Sequence, residues 1–459
     1  MKKSILVSAM SAVIFVSGSA IADKYKNEDN NFNFKAIDQS ANAGDWNASA
    51  PWKLPKGFTQ TVVSSESDLN IYPAGRDDWN DMNTVNETGK MAGRYMYRTH
   101  EVRLGRGDDV VDAIGGTVSV VDLKTGETKV LAQQGGLENG YTALDGIRWT
   151  PWGTLLFAEE TAGGRLFEIT LNDDMMSVAK IMDRPLVGRL AHEGIDLDAA
   201  GNVYVVDEHR GRTSGCDGVV PCGGSVYKFV PNSFGDLSSG ELFILKVTGA
   251  DGVGHAQWVG PIDSLNARVS GAEFGGTSYQ RPEDLEIINN TLYVAMTEGP
   301  RDAVTETNPA EENFSQLEFK KELYEGRVIA VNLDSMDVSN FVKPGVNVPV
   351  EIGKPGEEGH QTGFDSVDNL AETPDGKLMM IEDNKPSDIW IASTKTDNEG
   401  ASKKVKLFAS LTDPEAEGTG IYFSPLDPKT LYVNVQHSAS KDGDGTWAIT
   451  KKGHGSHND

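Results

Sequence analysis

Long apolar runs are scarce in this chain. Beyond the N-terminus none reaches the roughly 20 residues of a membrane span, so no transmembrane segment is expected. Basic residues are also few. Lys and Arg number 42 against 68 Asp and Glu, a formal charge of −26. Binding to a phosphate backbone runs on Lys and Arg, so nucleic acid is excluded as a partner class, and metal cations fit better. Sustained i, i+3, i+4 apolar spacing is missing, which argues against a helical fold. A Ser/His/Asp signature of nucleophilic hydrolysis is missing too. Cysteine is limited to Cys216 and Cys222, in "SGCDGVVPCGG". In an exported, loop-like segment this pair reads as a local disulfide.

What is present begins with the N-terminus, "MKKSILVSAMSAVIFVSGSAIAD". Two lysines, an apolar core and small residues before Asp23 make residues 1–22 a general secretory signal peptide, cleaved after Ala22. The pair is Lys-Lys, so nothing marks twin-arginine export. The expected location is periplasmic or secreted. The 459 residues, 50 of them glycine, suit a turn-rich globular chain.

The body of the chain repeats itself. "DGIRWTPWGTLLFAEE", "EGIDLDAAGNVYVVDE" and "DNLAETPDGKLMMIED" each place an acid fourteen positions before a second acid. The pairs are Asp145/Glu159, Glu193/Asp207 and Asp368/Glu382, with Gly153, Gly201 and Gly376 in the turns. "EDLEIINNTLYVAMTE" and "EGTGIYFSPLDPKTLYVNVQH" are looser copies, and "GRYMYRTHE" begins an earlier unit. Six units of short strands point to an all-β, six-bladed β-propeller. The propeller is expected over residues 91–451, with an irregular N-terminal segment at 23–90 packing on it and a tail at 452–459. Residues 233–280 and 300–326 read as loop insertions.

In a propeller, acids at one repeat position share one height around the channel. Asp145, Glu193, Glu283, Asp368 and Glu417 form one expected ring. A second comprises Glu101, Glu159, Asp207 or Glu208, Glu298 and Glu382. So many buried carboxylates stay ionised only with cations between them. Ca²⁺, which takes about six to eight oxygen ligands, suits that supply.

At "TPWGTLLFAEE", "HEGIDLD", "RPEDLEI", "FDSVDNLAETPDGKLMMIED" and "EGTGIYFSP…LYVNVQH" the chain resembles the PhoX-type alkaline phosphatases, over roughly residues 90–450. The resemblance implies a six-bladed propeller with central calcium and iron ions, and phosphomonoester hydrolysis. It makes Glu193 and Glu283 metal ligands and Arg281 of "RPED" the arginine that contacts substrate phosphate. Glu159, Glu382 and Glu417 resemble further ligands. The iron-bearing members have a cysteine before "TPWG"; here Asp145 takes that place, which argues against the same iron centre and toward several Ca²⁺ ions.

The leading expectation is a secreted metal-dependent phosphoesterase, monomeric, acting on a small phosphorylated substrate. Its candidate catalytic residues are Arg281 and His192. Two other readings are a calcium-dependent lactonase and a non-enzymatic, calcium-stabilised propeller that binds a ligand or partner.

Overall fold

The computed structural model describes residues 32–69, 79–104, 114–209, 223–297, 326–353, 359–440 and 442–452. Among these the strands form five antiparallel sheets, one of them nine-stranded; divided where Gly254–Ile262 meets Asp337–Val342, they make six sets. Their first strands are Asn80–Val85, Leu144–Trp149, Ile195–Leu197, Pro282–Ile288, Val367–Glu372 and Glu417–Phe423. Each first strand packs on the next, and the sixth packs on the first, so the six close a ring around a central channel. The molecule is a β-propeller.

Burial explains the composition of the strands. Second strands such as Val203–Val206 ("VYVV") and Leu155–Glu159 ("LLFAE") are buried along their whole length, because neighbouring sheets cover both faces. Such strands read as continuous apolar runs. Outermost strands such as Val178–Asp183 are part-exposed and mixed.

The N-terminal part completes the sheets rather than lying irregularly on them. Phe58–Ser65 is the outermost strand of the last set, paired with Gly445–Lys451 through Gln60/Ile449 and Thr61/Ala448. Segments from the two ends of the described chain thus share one sheet and close the ring. Trp52–Lys53 extends the fifth set, and Asn80–Val85 pairs with Tyr95–His100. The expected boundary at residue 90 therefore falls inside a sheet. The signal of Trp52–Lys53 and Phe58–Ser65 was hidden because both pair with distant sequence. Phe32 adds to the closure, with ring centroids 5.3, 5.3 and 5.1 Å from Phe58, Phe408 and Phe423.

Residues 233–280 are likewise not a plain loop. They contain Gly240–Val247, Gly254–Ile262 and the short helix α1 (Ala267–Glu273). Gly254–Ile262 bridges the third set to the fourth through Gly254/Val338.

Side chains on the first strands staple the ring. Asp284 accepts from the Leu370 backbone N–H at 2.8 Å, and Asp196 from that of Ile287 at 2.7 Å. Arg148 bonds Asp196 at 2.7 Å and Glu286 at 3.2 Å, so three consecutive strands are tied by one guanidinium.

Candidate metal centre

Four first strands break register at the same place. The irregularities lie between Asn80 and Asn83, Leu144 and Ile147, Pro282 and Leu285, and Val367 and Leu370. Asp81, Asp145, Glu283 and Asp368 each come first inside these bulges. A bulge leaves its residue out of the ladder and re-aims the side chain.

The residue two before each acid has a left-handed backbone: Trp79 at φ 49°, and Ala143, Arg281 and Ser366 at φ 46°. None is glycine, so each position is held against a conformational cost of about 1–3 kcal/mol. Their carbonyls accept the N–H of the residue that ends the hairpin. The bonds are Glu101 to Trp79 at 2.9 Å, Glu160 to Ala143 at 2.7 Å, Thr297 to Arg281 at 3.0 Å and Asp383 to Ser366 at 2.7 Å. In the third set Glu208 donates to Ala191 at 2.9 Å. Each hairpin so delivers a pair of groups to one end of the channel: Asp81/Glu101, Asp145/Glu160, Glu193/Glu208, Glu283/Thr297 and Asp368/Asp383.

This pairing corrects the expected spacing by one residue. Strand side chains alternate in direction, so in the doublets Glu159-Glu160, Asp207-Glu208 and Glu382-Asp383 the first acid turns away. Glu159 is bound by Arg165 at 2.6 Å. Asp207 is held by Arg268 at 2.6 and 2.7 Å. Glu382 accepts from the Asp365 N–H at 2.9 Å and from Trp390 Nε1 at 2.8 Å. Glu159 and Glu382 are therefore structural acids within their sheets. Sequence reasoning missed Glu160 and Asp383, although each doublet offered both choices. It missed Asp81 because residues 23–90 were read as irregular. Cys216, Cys222 and Glu298 lie outside the described residues.

Glu193, Glu283 and Asp368 converge most closely: one oxygen from each lies within 4.8 Å of the others. All three are buried, as are Asp145 and Asp81. Burial, then mutual repulsion, pushes Glu193, Asp368, Asp145 and Asp81 well above the usual carboxylate range. Burial lifts Glu283 less, to about 6, because the Arg281 charge opposes it. Glu417 reaches about 11 through burial and the nearby Asp383. At their separation Glu193, Glu283 and Asp368 repel one another when ionised, and a cation among them would relieve the repulsion.

Glycine permits the crowding. A Cβ on Gly146, next to Asp145, would lie 1.8 Å from the Glu193 carbonyl oxygen. One on Gly194 would meet Asp284 Oδ1 at 2.4 Å.

Arg281 reaches acids from three sets, with Nε 2.6 Å from Glu208 and 2.9 Å from Glu283, and Nη1 3.5 Å from Asp383. The contact with Glu283 Oε1 is an ion pair only, since no well-angled hydrogen bond reaches that oxygen. Arg103 forms a second such knot with Glu101 at 2.6 Å and Glu160. His192 does not join the site. It is buried, its Nε2 lies 3.0 Å from the Gly188 carbonyl, and burial lowers it to about 4, so it is neutral at pH 7. It supports the backbone before Glu193.

The donor set fits a hard cation. Asp145 Oδ1 and Glu193 Oε2 are buried without a hydrogen-bond partner. Such orphaned oxygens are costly unless a cation meets them. All the donors in the cluster are oxygens, the preference of Ca²⁺.

Fold and site together define a β-propeller with a carboxylate-lined channel end. The model of the alkaline phosphatase PhoX family matches residues 164–439, and the chain belongs to that family. PhoX from Pseudomonas fluorescens, solved in complex with vanadate, a transition state analogue, shares the fold. It is 17% identical, with a TM-score of 0.59, over 92% of this chain and 98% of its own. The soluble aldose sugar dehydrogenase from Escherichia coli, in apo form, matches at 13% identity and TM-score 0.44, over 86% of this chain and 99% of its own. No curated protein matches the chain. Among the described residues no helix is long and apolar enough to cross a membrane.

Proposed function

We propose that this protein is an exported, metal-dependent phosphomonoesterase built on a six-bladed propeller. The observation that carries the reading is the convergence of Glu193, Glu283 and Asp368 within 4.8 Å, beside Arg281, in a chain of the PhoX family. Glu193, Glu283, Asp368 and Asp145 would hold Ca²⁺, with Glu417, Asp81, Glu160, Glu208 and Asp383 around them. The oxygen of Asp145, where the iron-bearing members have cysteine, favours calcium over iron. When bound, the ions polarise phosphoryl oxygens and lower the pKa of a coordinated nucleophile.

The chain's own residues position the substrate. Arg281 offers a planar fork of N–H donors to phosphate oxygens and meets the charge that grows on them. Glu208 and Asp383 hold that fork in place at 2.6 and 3.5 Å. Residues 1–22 supply the export signal, and the periplasm or cell exterior supplies the calcium. The test is hydrolysis of p-nitrophenyl phosphate by protein reloaded with Ca²⁺, with metal analysis of the same sample. Activity that follows the bound calcium supports the reading; calcium-loaded protein without activity opposes it.

A further inference from the structure

The channel end has a second guanidinium that the phosphatase reading leaves unused. Arg103 follows the hairpin that ends in Glu101. Its Nε donates to Glu101 Oε1 at 2.9 Å, its Nη2 to Glu160 Oε2, and its Nη1 only weakly to the Glu160 carbonyl at 3.4 Å. Its side chain remains 27% exposed, against 18% for Arg281, whereas Glu193 and Glu283 are buried. Both guanidinia thus reach the open side of the carboxylate cluster. They also share a neighbour: Glu208 bonds Arg281 at 2.6 Å, and its charge acts on Arg103.

The arrangement is poised for exchange. Arg103 is clamped by two acids of the cluster. Cations entering the cluster draw on the same carboxylates and weaken their hold on the guanidinium. An arginine so released beside a cation-rich centre finds its best partner in an anion with several oxygens.

We infer that Arg103 is a second phosphate-binding residue, which with Arg281 grips a dianionic terminal phosphate and so selects monoesters over diesters. The inference rests on the phosphatase reading. A terminal phosphate has three non-bridging oxygens and two charges. A diester has two such oxygens and one charge, so it has less to offer a second arginine.

The test uses full-length, calcium-loaded wild type, Arg103→Gln and Arg103→Lys. Calorimetry gives the affinity for inorganic phosphate, alongside calcium content and melting temperature. Steady-state kinetics compare p-nitrophenyl phosphate with bis(p-nitrophenyl) phosphate. Losing a charge-assisted contact should weaken phosphate binding by about tenfold or more in Arg103→Gln. Calcium content should stay as in wild type, KM for the monoester should rise, and the monoester-to-diester preference should fall. Arg103→Lys should recover part of the affinity. Unchanged phosphate affinity in Arg103→Gln, with an active wild type, overturns the inference and leaves the phosphatase reading intact. Loss of calcium in both variants makes the residue structural and also overturns it. A calcium-loaded wild type that neither binds nor hydrolyses phosphate overturns both.

Discussion

Arg281 Nε and Glu208 Oε1 meet at 2.6 Å, joining the fourth set of strands to the third across the end of the channel. The same nitrogen lies 2.9 Å from Glu283. Guanidinium and acids have different duties in the proposed site, so their variants should fail differently. Arg281→Ala should keep its calcium and lose activity by about a hundredfold, equivalent to ~3 kcal/mol. Glu283→Ala should lose calcium, stability and activity together. Calcium content, melting temperature and rate on each variant check this. Two variants that both stay active would mark the pair as a structural contact with no part in the chemistry.

Calcium should stabilise the fold. A ligand that binds only the native state adds about 2.7 kcal/mol at a hundred times its Kd. Excess chelator should lower the melting temperature, and added Ca²⁺ should restore it. A melting curve indifferent to chelator would count against the centre.

Without metal, stability should fall as pH rises. Burial lifts Glu283 to about 6, Asp284 to about 7 and Glu417 to about 11. In the unfolded chain these acids titrate near about 4. Between those limits the native state binds more protons than the unfolded state. Their stabilising contribution is full below about pH 4 and is lost as pH climbs through 6, 7 and 11. Chelated protein should melt lower at each step from pH 5 to pH 9. Calcium competes with those protons, so its stabilising effect should grow over the same range. A chelated protein whose melting temperature is flat or rises over this range would show that these acids are not buried as described.

The repeat of glycine turns between acids made the propeller legible in the sequence. Of the expected inner ring, Glu193, Glu283 and Asp368 bring one oxygen each within 4.8 Å of the others. Which acid of each doublet points inward was not legible, because alternation is fixed by a register that the bulges shift. The closing strand Phe58–Ser65 escaped because its partner is remote in sequence, and Asp81 escaped because residues 23–90 were read as irregular. His192 misled for a related reason: adjacency to Glu193 says nothing of direction, and the backbone before the strand turns its ring toward Gly188.

The one-residue correction has its own test. Glu159→Gln breaks a buried contact to Arg165 and should cost about 1–3 kcal/mol of stability while leaving calcium affinity unchanged. Glu160→Gln, one residue on, should weaken calcium binding. Denaturant titration and calcium calorimetry on both variants decide it; the reverse pattern would restore the expected register.

Cys216 and Cys222, both outside the described residues, are expected to be joined in the exported protein. Thiol titration of unreduced, denatured protein should find none. Two reactive thiols would contradict the pairing.

The most direct test of the account is p-nitrophenyl phosphate hydrolysis by the wild type before chelation, after it, and after Ca²⁺ is returned. The account predicts hydrolysis that disappears with the metal and returns with calcium, in proportion to calcium bound. Absence of hydrolysis with any metal, or hydrolysis untouched by complete chelation, would contradict it.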